Sequence, residues 1–294
     1  MNRKDFLKKT LAGAGAVATG AALAAVTENK IDELAPIKAN DIVGFNHHPA
    51  PETIMTPNTI LHKADTRGKA DMGWLKTNYS FSFANYYNPE RMHFGVLRVL
   101  NDDFIAAGMG FGTHPHDNME IITIPLEGVV EHKDSMGNSG TITAGEIQVM
   151  SAGTGIYHSE YNHNQDKDLR LFQIWLFPNK ANVTPRYDQI TLPSEKKNAW
   201  NQVLSPNSDD DGVWIHQDAW FNMGSFDPGI ETTYELKNPK SNGVYAFIIE
   251  GDATINGQAL NRRDGFGIWN TDKLSIKADS QTRILLMEVP MQLD

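Results

Sequence analysis

Apolar and polar residues alternate in short runs along most of this chain, and glycine-marked turns separate the runs. Tyr79–Ala84 (YSFSFA), His93–Leu100 (HFGVLRVL), Glu120–Leu126 (EIITIPL) and Leu169–Phe177 (LRLFQIWLF) alternate or run apolar over strand lengths, and Gly140–Ile142 with its neighbours adds another. A period of two places successive side chains on opposite faces of a strand. Glu127-Gly128, Asp134–Gly140 (DSMGNSG) and Ala144-Gly145 supply the turns. With no long 3.6-residue period among them, these runs predict a β-sandwich or barrel. One face of each strand fills the barrel, and the other meets solvent or a second sheet.

The pattern lapses from Pro178 to Asp211, where turn chemistry dominates (PNKANVTP, LPSEKKN, SPNSDDDG) and a short helix is expected around Glu195–Val203. A second β set follows at Val213–Phe221, Ile230–Leu236, Val244–Ile249 and Arg283–Val289. It reads as a worn copy of the first. Ile249-Glu250-Gly251 echoes Leu126-Glu127-Gly128, Asn256-Gly257 marks a hairpin, and Arg263-Asp264-Gly265 echoes Ala144-Gly145-Glu146.

Composition narrows the class. The 294 residues are 40% hydrophobic and 21% charged, enough apolar material for one large or two ordinary domains. A formal charge of −10 argues against a general nucleic-acid binder, which needs a basic face. With no cysteine there are no disulfides and no thiolate ligands, so any metal must be held by nitrogen and oxygen donors.

Residues 1–24 read as a signal peptide. Arg3, Lys4, Lys8 and Lys9 form a basic start, the Ala/Gly-rich run Leu11–Val26 follows, and Ala22-Leu23-Ala24 supplies a small-x-small cleavage site. The run is too short and too weakly apolar for a membrane span. NRKDFLK resembles a twin-arginine export signal with Lys4 in place of the second arginine, which predicts a periplasmic or secreted protein, or a cytoplasmic one if the signal does not function. Residues 25–59 are polar and proline-punctuated and read as an arm or linker. His47 and His48 within it point to opposite faces of an extended chain and form no common site.

The candidate chemistry lies between Gly108 and Glu160. His114 and His116 stand two residues apart, and His158 and Glu160 repeat that spacing behind a turn-punctuated β pattern. On two adjacent strands these residues converge as three imidazoles and a carboxylate, a first shell for a divalent transition metal with positions left for water or substrate. Phe111, Tyr157 and Trp175 are candidate pocket walls, or barrel core.

These residues carry a family resemblance. Gly108, His114-x-His116 and Glu120 resemble the first cupin motif, with one extra residue before Gly128. In the second motif Ser151 replaces the usual proline and His158 falls two positions late. Both departures are similar to the pirin branch, as is the lead-in LHKADTRGKADMGWLKTNYSFSFANYYNP from Leu61 to Pro89, with Tyr79 where many relatives have histidine. The resemblance is specific from about Ile60 to Pro178 and looser beyond.

It implies an all-β bicupin of two jelly-roll β-barrels, with a metal-binding domain at 60–178, a linker at 179–194 and a metal-free cupin-like domain at 195–294. It implies the ligand set His114, His116, His158 and Glu160, an Fe(II) ion with Ni, Mn, Co or Cu as alternatives, and Glu120 either orienting a histidine or lying at the pocket rim. The implied reaction joins a phenolic substrate with O2: flavonols of the quercetin type are opened to a depside with release of carbon monoxide, Glu160 or a metal-bound hydroxide taking the hydroxyl proton. Its rivals are another cupin reaction and a non-enzymatic, redox-sensing metal module.

Overall fold

A computed structural model describes residues 56–293, which lie within one compact unit. Along the chain the first half contains β1 (Asn58–His62), a single 3-10 turn (Ala64–Thr66), β2 (Gly68–Asp71), β3 (Leu75–Tyr79), β4 (Leu97–Ile105), β5 (Gly110–His116) and β6 (Glu120–Glu127). It continues with β7 (Val129–Asp134), β8 (Ser139–Thr143), β9 (Glu146–Ser151), β10 (Ile156–Asn162), β11 (Leu169–Leu176) and β12 (Arg186–Thr191). The second half holds β13 (Trp200–Ser205), β14 (Val213–Trp214), β15 (Trp220–Phe226), β16 (Glu231–Glu235) and β17 (Asn242–Glu250). After these come β18 (Ala253–Ile255), β19 (Gln258–Leu260), β20 (Gly265–Trp269), β21 (Lys273–Ala278) and β22 (Thr282–Pro290). The signal peptide, His47-His48 and most of the arm lie outside the described residues.

The strands make two barrels, each a seven-stranded sheet closed by a four-stranded one. The first uses the order β12-β9-β6-β11-β4-β3-β2 with β5-β10-β7-β8, and the second uses β1-β20-β17-β22-β15-β13-β14 with β16-β21-β18-β19. The fold is all-β, two jelly rolls in tandem, as the alternation predicts.

Why the central strands read as apolar runs is visible in β11. Phe172, Ile174 and Leu176 join a core shared with Phe221, Tyr245, Phe247 and Met287 of the second half. Leu171 instead packs with Val130, Ile142 and Leu169 inside the first barrel. The large sheets therefore pack face to face, and a strand buried on both faces shows no polar alternation. The second barrel fills its own interior with Val244, Ala246, Ile248, Ile268, Ile276 and Leu286.

Three local expectations are corrected. Glu195–Val203 forms no helix: Trp200–Ser205 is a strand paired with β15. Tyr79–Ala84 is strand only at its first residue, and beyond it the chain turns through an isolated Phe83–Tyr86 bridge. Arg98 pins this loop by donating to the carbonyls of Ser82 and Met92. Finally, segments at the ends of the first domain cross-connect the molecule. β1 pairs with β20 of the second half, and β12, inside the expected linker, forms an edge of the first barrel on β9.

Candidate metal centre

β5 and β10 run antiparallel, and their register sets the site. His158 lies opposite His114, and Ile156 opposite His116, so all three imidazoles share one face. Past His158 the register slips: Glu160 pairs with Phe111, which leaves an extra residue on β5. The ring centroids lie 4.4 Å (His114–His158), 4.9 Å (His114–His116) and 4.9 Å (His116–His158) apart. Among the described residues, these three alone form a cluster whose potential ligand atoms all fall within 4.8 Å of one another.

Their protonation suits a metal. His158 is buried, and burial, reinforced by nearby His132, pushes its pKa down to about 3, so it is a neutral donor. Neither of its ring nitrogens has a hydrogen-bond partner. The Nδ1 of His114 lies 2.8 Å from the Gly112 carbonyl, which only accepts, so Nδ1 carries the proton and the lone pair sits on Nε2. An orphaned buried imidazole beside two half-buried ones is a donor set that fits a divalent transition ion.

Glu160 follows His158 on the same face of β10 and is also buried. Its Oε1 accepts from the Thr123 hydroxyl at 3.0 Å and its Oε2 from Gln173 Nε2 at 2.9 Å. These donors come from β6 and β11, so three strands fix the carboxylate beside the histidines, although it stands outside the tight cluster of three.

Glu120 is the clear correction. It neither orients a site histidine nor lies at a rim. It is fully buried, accepting from Ser151 Oγ at 2.7 Å and from the backbone of His216 in the second half. Burial dominates and raises its pKa to about 7 against the lowering effect of those bonds and of Arg186.

Of the aromatic candidates, Trp175 does wall the site. Its ring meets that of His116 edge to face at 4.8 Å, and its buried Nε1 has no acceptor. Phe83, Tyr79 and Tyr86 continue outward from it at 5.3, 5.5 and 6.4 Å in turn, which places Tyr79 in the second ring from the indole. Phe111 packs against Trp74 at 5.4 Å and reaches His114 at 6.5 Å. Tyr157 is on the wrong face of β10, 57% exposed.

The residue that sequence reasoning missed is His132. It is fully buried on β7, its Nε2 lies 3.2 Å from Asp134 Oδ2, and its ring is 5.5 Å from His158 and 4.7 Å from Tyr187. The signal was available: His132-x-Asp134 has the same two-residue spacing and pairs directly with Glu160 and His158. Other histidines lie apart; His163, for example, is exposed and 3.4 Å from Glu131. In the second half two carboxylates are buried: Glu288 accepts from Tyr234, Asn242 and the backbone amides of Lys237 and Asn238, and Asp264 from Lys63 and the amides of Ala64 and Asn261. No cluster of metal donors lies there among the described residues.

Comparison with known proteins agrees with this geometry. The pirin family model matches residues 60–176, and the model of the quercetinase C-terminal cupin domain matches residues 202–289. Quercetin 2,3-dioxygenase of Escherichia coli (strain K12) is 45% identical over 230 residues, 78% of this chain and 98% of that protein. A pirin-like protein of Caulobacter vibrioides is 40% identical over 226 residues, 76% of this chain and 96% of its own length. The bacterial pirin YhhW of Escherichia coli in complex with nickel(II) has the same fold, with a TM-score of 0.75 and 44% identity over 79% of this chain and 99% of that one. A two-barrel fold, a converging histidine triad and this similarity over both halves place the chain in the pirin family of metal-binding cupin proteins.

Proposed function

We propose that this pirin is a metal-dependent dioxygenase that opens flavonols of the quercetin type with O2, giving a depside and carbon monoxide. The observation that carries the reading is a triad of histidines placed beside a buried, doubly hydrogen-bonded carboxylate and an aromatic wall. His114, His116 and His158 hold the ion with Glu160 as fourth ligand, and Fe(II) is the metal this donor set suits best, ahead of Ni, Mn, Co or Cu. When bound, the ion supplies Lewis acidity and open coordination positions.

The chain's own residues supply the rest. Glu160 accepts the proton of the flavonol hydroxyl, and the bonds from Thr123 and Gln173 keep its oxygens aimed. The Trp175 indole, packed edge to face on His116, offers an apolar edge for the planar substrate. The names of the similar quercetin 2,3-dioxygenases support the same substrate class.

The test is direct. Purified protein loaded with Fe(II) should consume O2 with quercetin and release carbon monoxide in equal amount. No O2 uptake by fully loaded protein would overturn the enzymatic reading in favour of a metal-sensing module. We further propose export through residues 1–24, to be checked by N-terminal sequencing of protein from the native host. An intact start in the cytosolic fraction would overturn it.

A further inference from the structure

A second charged site lies on the other face of β4, at the seam between the halves. Arg67, Lys76, Arg170, Arg262 and Arg263 line a cleft of about 170 Å3 together with Asp102 and Asp103, and burial raises the Asp103 carboxyl to about 7, which reduces its charge. Asp102, opposite Phe172 on β11, points the same way as that ring, toward the second half.

The charges in this cleft do not balance. The side chains of Arg67 and Arg263 are only 5% and 7% exposed, yet both depend on one carboxylate oxygen. Asp102 Oδ2 lies 3.3 and 3.4 Å from the two terminal nitrogens of Arg67 and 3.4 Å from Arg263 Nε, all long for charge-assisted bonds. Glu250 is committed to Arg262, at 2.6 and 3.0 Å, and reaches Arg263 only at 3.6 Å. Arg263 Nη1 is buried with no acceptor at all.

Beneath the two guanidiniums are aromatic faces. Arg263 lies 5.1 Å from the centre of Phe172, and Arg67 lies 5.5 Å from that of Phe247. A ring face softens the burial of a cation but does not neutralise it, and buried charge without full pairing is costly. Lys76 and Arg170, at the rim, are 60% and 46% exposed and bracket the ring of Phe104. Five cations thus line a space that a small anion would fill, Arg67 and Arg263 fixed at its bottom and Lys76 and Arg170 at its rim, where they also face Asp71 at 4.0 Å and Glu127 at 3.3 Å.

We propose that this cleft binds a small dianionic oxyanion of the phosphate class, with Arg263 Nη1 and Arg67 as its buried donors and Lys76 and Arg170 as its rim. The site joins residues of both halves and lies on the opposite face of β4 from the histidine triad. Anion binding there would tighten the seam without touching the metal.

Isothermal titration of the full chain with inorganic phosphate, at ionic strength held constant with chloride, tests this. The expected result is saturable binding at one site per chain, with a dissociation constant in the millimolar range or tighter. The double variant Lys76→Gln/Arg170→Gln leaves the buried pair intact, so it should keep its phosphate-free thermal midpoint and bind about ten- to a hundredfold more weakly. The variant His114→Ala should bind phosphate as the parent does. Non-saturating heats, equal affinity in the double variant, or loss of binding in His114→Ala would each overturn the proposal, the last by placing the anion at the metal centre.

Discussion

Glu160 accepts hydrogen bonds from Thr123 and Gln173 while standing one strand-repeat from His158, so a single substitution separates two of its roles. Glu160→Gln keeps the side chain's size and one carbonyl oxygen but loses charge and basicity. The ion should be held more weakly yet still load at high metal concentration, while flavonol turnover falls about 10²- to 10⁴-fold, as for loss of a general base. His114→Ala removes a donor outright, so metal content and turnover should vanish together. A Glu160→Gln protein with full metal and an unchanged rate would restrict Glu160 to ligation. Glu120 gives a separate test at this scale, through stability. Its pKa is raised from an ordinary 4.5 to about 7, chiefly by burial, so the folded chain holds a proton that the unfolded chain has released. This contribution to stability is therefore greatest below pH 4.5, falls as pH rises toward 7 and is level above that. Glu120→Gln should gain about 1–3 kcal/mol on the parent between pH values of about 5 and 8 in urea unfolding. An identical pH slope in both proteins would refute the assignment. The triad was legible in the sequence because its spacing of two is a property of strands. The place of Glu120 was not, since its partners Ser151 and His216 arrive from distant positions. His132 was hidden by its charged neighbours, which read as a solvated hairpin.

The register of β5 on β10 is the element-scale determinant of the site, and Gly110 protects it. A Cβ at Gly110 would collide with the Glu160 carbonyl and the Cα of Tyr161. Gly110→Ala should therefore lift β5 from β10 just where the strand slips past Glu160, loosening the alignment of His114 with His158 although no ligand is altered. Metal affinity should drop by about ten- to a hundredfold with the fold retained, as when ligand positioning is disturbed elsewhere. Competition titration against a chromophoric chelator reads this, and unchanged affinity would show that the bulge does not position the ligands. Strands such as Glu120–Glu127 and Leu169–Leu176 were plain in the sequence because they are apolar on both faces. Trp200–Ser205 was not. Its NAWNQV sequence is locally ambiguous, and the edge of β15 decides the matter. The YSFSFA alternation misled for the opposite reason: its rings pack on Trp175 and Tyr245 from an irregular loop, so the period there reflects aromatic stacking rather than a ladder.

At the scale of the whole molecule the halves are joined by a core drawn from the facing sides of both large sheets, separate from the clusters inside each barrel. Elemental analysis should give one ion per chain, since the buried carboxylates of the second half, Glu288 and Asp264, are already hydrogen-bonded and no donor cluster lies there among the described residues; two tightly held ions would contradict this. The shared core also predicts a single cooperative thermal transition. The strand exchange at the N-terminal end sharpens that expectation. β1 belongs by sequence to the metal-bearing half, yet its residues pair from Asn58↔Trp269 to His62↔Gly265 in the other sheet. His62 is buried with its Nδ1 2.8 Å from the Tyr245 hydroxyl, and the following Lys63 lies 2.7 Å from Asp264. Removing residues through His62 leaves every metal ligand in place but exposes the edge of β20 and takes away the His62 partner of the Tyr245 hydroxyl in the shared core. The loss should be about 2–4 kcal/mol, which for a protein of this size lowers the midpoint by roughly 5–15 °C. Because the core is common, the whole transition should move, and the metal centre should melt with it rather than outlast it. Scanning calorimetry of the loaded protein, with the metal-dependent absorbance followed in parallel, distinguishes the cases: two separated transitions, with the second half melting first, would show that the barrels are energetically independent despite their common core.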